Sequence, residues 1–114
     1  YTSPSKDSEN ERINVVFQFL SNNFRKEINL AQIASVANMT PNAFCRYFKQ
    51  RTGKAFTVFL NEMRIEMAAK LIAHSHVNFG NIAQECGFNR ISYFNRQFKR
   101  VMQTSPMAYR NKYR

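Results

Sequence analysis

The sequence predicts an all-α fold: about seven helices, arranged as two similar subdomains joined by a long central helix. Three observations carry this prediction. Three Gly and three Pro in 114 residues are too few for turn-rich β architecture. Apolar residues recur at helical spacing along most of the chain. Two stretches 49 to 50 residues apart repeat one pattern, Phe-x-Arg-x-Phe-Lys. A chain of this size can bury roughly 65% of its unfolded surface, and eleven Phe supply the material for a core.

Residues 1–7 (YTSPSKD) are polar and read as a linker or disordered start. Ser8 and Glu11 fit a capping box, and Ile13, Val16, Phe17, Leu20 and Phe24 follow at helical spacing, so a first helix is expected over about 9–23. Asn29 can cap a short second helix with Leu30, Ile33, Ala34 and Ala37 as its stripe, ending near Asn38. Thr40-Pro41 sets a cap and a first helical proline for a third helix, which Gly53 can close in the left-handed conformation. Phe56 to about His74 is the longest uninterrupted helical pattern. Phe59, Leu60, Met63, Met67, Leu71 and Ile72 form its expected spine, with Ala68 and Ala69 allowing close approach. Its length would be about 28 Å. Further helices are expected at about 79–86, at about 90–102, and from Ser105-Pro106 to near Tyr113. The chain thus divides into a start (1–7), a first subdomain (8–54), a connecting helix (55–75) and a second subdomain (76–114).

The repeat gives each subdomain its character. Ile33-Ala34 recurs as Ile82-Ala83, and Phe44-Cys45-Arg46-Tyr47-Phe48-Lys49 as Phe94-Asn95-Arg96-Gln97-Phe98-Lys99. Between them Asn38 matches Gly87, the two residue types that enter the left-handed region most easily. Met39 and Phe88 follow and can plug the corner. Each copy therefore reads as short helix, sharp turn, second helix, which is the helix-turn-helix order.

The formal net charge is +10, and it is unevenly placed. Acidic residues are absent between Glu27 and Glu62 and after Glu85. Those stretches carry Arg46, Lys49, Arg51, Lys54, then Arg90, Arg96, Lys99, Arg100, Arg110, Lys112 and Arg114. Two basic blocks on either side of a mixed-charge segment suggest a polyanion touched at two places.

The second helix of each repeat separates these charges from its apolar side. With Phe44 at 0°, Phe48 falls at about 40°, while Asn42, Arg46 and Lys49 fall at about 160°, 200° and 140°, with Cys45 at about 100°. Phe94, Phe98, Ser92, Arg96, Lys99 and Asn95 repeat these phases. A helix of this kind suits the DNA major groove, where each base pair displays a distinct donor and acceptor pattern. Arg46 and Arg96 are the expected direct contacts, since a guanidinium can grip guanine through two bonds. Asn42, Cys45, Ser92 and Asn95 are candidates for base readout; Lys49, Lys99 and Arg90 are candidates for the phosphate backbone.

Other functions fit less well. A-form RNA hides its major groove from side chains. A membrane-surface role would need the Phe residues that a core consumes, and every apolar run is too short to span a bilayer. An enzyme is not expected: His74 and His76 lack helical metal-pair spacing, Cys45 and Cys86 lack a Cys-x-x-Cys arrangement, and Glu62 and Glu66 read as solvated charges offset by Arg64 and Lys70. Neither a cofactor nor a metal is implied. The two cysteines, with no export signal in view, read as reduced thiols of a cytoplasmic protein. Cys45 can be read either as a small recognition-face residue or as a redox switch. Tyr93, Tyr109 and Tyr113 read as core or phosphate-contacting side chains rather than stacking platforms.

In this combination the chain resembles the AraC/XylS-type DNA-binding domain, from about Glu11 to Arg114. The resemblance rests on both repeats, on Thr52-Gly53, on Arg64, Ala68 and Leu71 of the long helix, and on the ending Ser105-Pro106-x-x-Tyr109-Arg110. It implies two helix-turn-helix units held by the long helix. It also implies double-stranded DNA as partner, and transcription regulation, most often activation through RNA polymerase. Members usually carry an effector or dimerisation domain, which the linker-like start and the missing initiator Met suggest is cut away here. Two positions depart from the pattern: Gln103 replaces a common Gly, and Asn42 stands where some relatives have a large aromatic. A spacer of about 28 Å could set the two recognition helices about one DNA turn, 34 Å, apart on an asymmetric site of roughly 20 base pairs.

Overall fold

The computed structural model describes the backbone of residues 4–113 and the side chains of residues 10–113. Among them the fold is all-helical, with α1 (Pro4–Asn23), α2 (Leu30–Val36), α3 (Pro41–Thr52), α4 (Phe56–His74), α5 (Phe79–Glu85), α6 (Ile91–Met102) and α7 (Pro106–Lys112).

Most helix starts follow from side-chain caps. Asn29 accepts from the Gln32 amide at 2.7 Å, Thr40 from Ala43 at 3.3 Å, Asn78 from Asn81 at 2.8 Å and Ser105 from Ala108 at 3.1 Å. The first helix departs from expectation. It begins at Pro4, so residues 4–7 are helical rather than linker, and Ser8 lies inside the helix instead of capping it. A proline is well suited to that first position because it has no amide to leave unpaired. Residues 1–3 of the expected linker, and Arg114, lie outside the described residues.

The chain forms two compact units, one of residues up to 23 with 27–57, the other of 24–26 with 58–114. In the first, α1, α2 and α3 bury Ile13, Val16, Leu20, Ile33, Ala34 and Phe44. Phe44, Phe48 and Phe56 form a ring cluster with centroids 5.6 to 5.7 Å apart. Such pairs add to the burial of their area.

The second unit takes up most of α4, which the sequence suggests as a connector separate from both subdomains. Ile65, Ala68, Ala69 and Ile72 share one core with Ile82, Ala83, Cys86, Phe88, Phe94 and Phe98. The expected spine is therefore shifted. Phe59, Met63, Met67 and Leu71 are only half-buried, while Ile65 and the polar Asn61 are buried. A helix with apolar residues on most faces leaves its inward side open, and packing against α5 and α6 selects it. Phe24, expected on the stripe of the first helix, lies just beyond α1 and belongs to this unit.

Two arginines are structural. Arg64 donates from Nε to the Phe24 carbonyl at 2.7 Å and from Nη2 to the Lys26 carbonyl at 2.9 Å, which fastens residues 24–26 to α4. Glu62, one of the two solvated charges on this helix, has Arg100 at 3.9 Å. Arg110, counted in the basic block of the sequence, is buried. It donates to Ile72 and Val77 carbonyls and lies 4.6 Å from the centre of the Phe79 ring.

Candidate nucleic-acid interface

The two turns are built alike. At the end of α2 the Met39 amide donates back to the Ala34 carbonyl at 2.9 Å; at the end of α5 the Phe88 amide does so to Ala83, also at 2.9 Å. These long back-bonds need a left-handed residue in between. Asn38 supplies it with φ 57° and Gly87 with φ 97°. Asn38 is exposed, so its side chain has room. Gly87 has none: a Cβ there would stand 2.8 Å from Arg64 Nε, 3.0 Å from the Phe24 carbonyl oxygen and 3.1 Å from that of Arg25. After the turn Met39 leads directly to the cap Thr40, whereas Asn89 is inserted between Phe88 and the cap position Arg90. That insertion accounts for the change of offset within the repeat.

Beyond the turns, α3 and α6 present matching faces. Phe44 and Phe48 on α3, and Phe94 and Phe98 on α6, are fully buried. Asn42, Cys45, Arg46 and Lys49 are exposed on α3; Arg90 at the α6 cap, and Ser92, Asn95, Arg96 and Lys99 on α6, are exposed too. Each unit thus gathers its candidate side chains on the solvent side of one helix. Cys45, Arg46 and Lys49 line an open hollow of about 710 Å³ together with Gln50. On α6, the Arg96 guanidinium lies 5.6 Å over the Tyr93 ring. Asn95 and Lys99 line a second hollow of about 410 Å³ together with Phe79, Ser105, Pro106 and Met107. The two thiols differ: Cys45 is exposed, while Cys86 is buried and its pKa is pushed from 9.0 to about 11, mainly by burial.

A helix-turn-helix domain family matches residues 33–112, both repeats and the helix between them. The chain belongs to the AraC/XylS-type helix-turn-helix family. Among its relatives, this AraC/XylS-type chain is 27% identical over 109 residues to the regulatory protein PocR of Salmonella typhimurium, covering 96% of this chain and 36% of PocR. It is 30% identical over 95 residues to the transcriptional activator RhaS of Escherichia coli, covering 83% of this chain and 34% of RhaS. The chain spans about a third of the length of these curated relatives, which are regulators rather than enzymes. Among solved structures, the DNA-binding domain of AdpA in complex with a target DNA superposes with a TM-score of 0.82 at 29% identity, over 90% of this chain and 92% of that one.

The family departure at Gln103 is accommodated without a change of geometry. Gln103 adopts φ 61° and its amide donates to the Lys99 carbonyl at 2.9 Å, as Gly53 (φ 80°) does to Lys49 at 2.8 Å. The Gln103 side chain also bonds the Arg100 carbonyl at 2.8 Å. Gln50 shares the α3 hollow, Tyr93 lies under Arg96 and Asn61 bonds Tyr93, and none of the three is among the candidates the sequence suggests. Gln50 follows Arg46 by one helical turn, a spacing that could have flagged it. In the sequence Tyr93 reads as core or phosphate-contacting, and Asn61 carries no signal there, because its partner lies 32 residues away.

Proposed function

We propose that this chain is the DNA-binding part of a larger transcription regulator acting in the cytoplasm. It reads a specific double-stranded sequence with α3 and α6 in successive major-groove segments and favours activation through contact with RNA polymerase. The observation that carries the reading is the duplicated turn: each copy buries a Phe pair and leaves an arginine exposed on the opposite side of the same helix. Arg46 and Arg96 are the base-reading side chains, aided by Asn42, Cys45, Ser92 and Asn95. Lys49, Lys99 and Arg90 hold phosphates, a division that follows from what each group can bond.

Activation is supported by the likeness to RhaS, named a transcriptional activator, and DNA as partner by the likeness to the DNA-bound AdpA domain. A sensing or dimerisation domain in the rest of the protein fits the third of the relatives' length that this chain spans. Among the described residues no helix is long and apolar enough to cross a membrane.

The test is selection of bound sites from a random double-stranded DNA pool at stated salt, with bulk DNA and duplex RNA as competitors. Enrichment of one asymmetric site of roughly 20 base pairs is expected. Equal binding to every sequence, or preference for RNA or anionic vesicles, would overturn the proposal.

A further inference from the structure

The two reading arginines are set up differently. Arg96 stands three residues after Tyr93, so both side chains lie on one strip of α6, and its guanidinium sits 5.6 Å from the ring centre. The ring itself is held. Its hydroxyl accepts a hydrogen bond from Asn61 Nδ2 at 2.8 Å, and Asn61 is 5% exposed on α4. Its side rests against Phe88, with centroids 6.0 Å apart at 53°. Phe88 is the residue that plugs the helix-turn-helix corner, and it is buried. In the first copy the residue three before Arg46 is Ala43, which has no ring to offer.

We infer that Tyr93 is a positioning residue for Arg96: a ring pinned by Asn61 and Phe88 holds the guanidinium aimed at the DNA before binding, and so sharpens base choice at the half-site read by α6. The inference rests on the proposed contact of Arg96 with DNA. A free arginine side chain samples many rotamers, and a two-bond grip on guanine requires one of them. A fixed aromatic face narrows that set through cation–π attraction and stacking while leaving the edge of the fork, with its N–H donors, free. Less ordering is then left to the binding step. The Asn61 bond matters because a half-buried ring without it could tilt away from the arginine. Base choice by α3 has no such aid from Ala43, so the two half-sites respond differently to loss of the ring.

The experiment is a double-mutant cycle on the 114-residue chain, using the site recovered by selection. Tyr93→Phe, Tyr93→Leu and Tyr93→Met are compared with Arg96 present and with Arg96→Ala, by fluorescence anisotropy and thermal unfolding. Tyr93→Leu should weaken binding about two- to five-fold with Arg96 present and leave it unchanged in Arg96→Ala. The weakening should flatten preference at the same base pairs that Arg96→Ala flattens and spare those read by α3. Tyr93→Phe keeps the ring and should retain most of the preference. Tyr93→Met fills the space without a π face and answers the question if the leucine variant fails to fold. Equal weakening in both backgrounds, or weakening spread evenly over all base pairs, would mean that Tyr93 only packs. A loss in Arg96→Ala without one in Tyr93→Leu or Tyr93→Met overturns the positioning role alone. An Arg96→Ala variant that binds and discriminates like the parent overturns the DNA contact and the positioning role together.

Discussion

The Arg110 guanidinium donates to the Val77 carbonyl at 2.7 Å across 33 residues of chain. Its Nε reaches the Ile72 carbonyl, near the end of α4, at 3.3 Å. Carbonyls in the last turn of a helix lack partners within it, and a cation there also meets the negative end of the helix dipole. One α7 side chain therefore ties the end of α4 to the segment that leads into α5. Arg110→Leu should cost about 2–4 kcal/mol in stability, because it leaves half-buried carbonyls unpaired. Urea unfolding measures this. Below the transition, the salt dependence of DNA affinity should match the parent, since this cation is not at the surface.

Two turn residues should respond with opposite signs. Gly87→Ala combines a left-handed backbone with contacts of 2.8 to 3.1 Å to Arg64 and two backbone oxygens. A loss of about 2–4 kcal/mol is expected, with DNA binding falling at temperatures where the second unit opens. Gln103→Gly relieves a left-handed residue that is exposed, and should add about 0.5–1 kcal/mol. Thermal unfolding of the two variants beside the parent checks both signs.

Arg96 and Lys99 separate readout from attachment. Arg96→Ala should cost about 1–3 kcal/mol at the selected site and relax preference at one or two base pairs. Lys99→Ala should weaken all sequences alike and reduce the slope of log affinity against log salt by about one. Anisotropy titrations at several salt concentrations, on selected and scrambled DNA, distinguish the two patterns.

Cys45 offers a chemical footprint of the first recognition helix. It is exposed beside Arg46 and Lys49, while Cys86 is buried. A maleimide should label Cys45 alone in the folded chain, bound DNA should slow that labelling, and the labelled protein should lose affinity. Mass spectrometry after limited labelling shows which thiol has reacted. Labelling unaffected by tightly bound DNA would remove α3 from the interface.

Cys86 predicts a pH dependence. Its folded pKa is raised from 9.0 to about 11, first by burial, with Arg25 opposing, Glu85 adding and Arg64 opposing. The folded chain thus holds this proton more tightly than the unfolded chain does. Its contribution is complete below pH 9 and is lost as pH rises toward about 11, by about 2 to 3 kcal/mol. Cys86→Ala should remove that part of the alkaline decline, seen as the difference between the two unfolding curves across the window.

Local chemistry made much of this protein legible from its residues alone. Thr40-Pro41, Asn29, Ser105-Pro106 and Gly53 mark helix ends because each acts on amides or dihedrals within a few positions. The phase of Phe44, Arg46 and Phe48 and of their repeat, which follows from helix geometry, separates a buried side from an exposed one. Tertiary structure decided what depends on distant partners. It turned α4 so that Ile65 and Asn61 face inward, gave Arg64 and Arg110 to backbone carbonyls instead of the surface, and set Tyr93 beneath Arg96. An arginine code letter reads the same in either role. Whether it meets a carbonyl, a ring or water depends on which segments the fold brings within hydrogen-bond reach, and short-range periodicity carries no record of that.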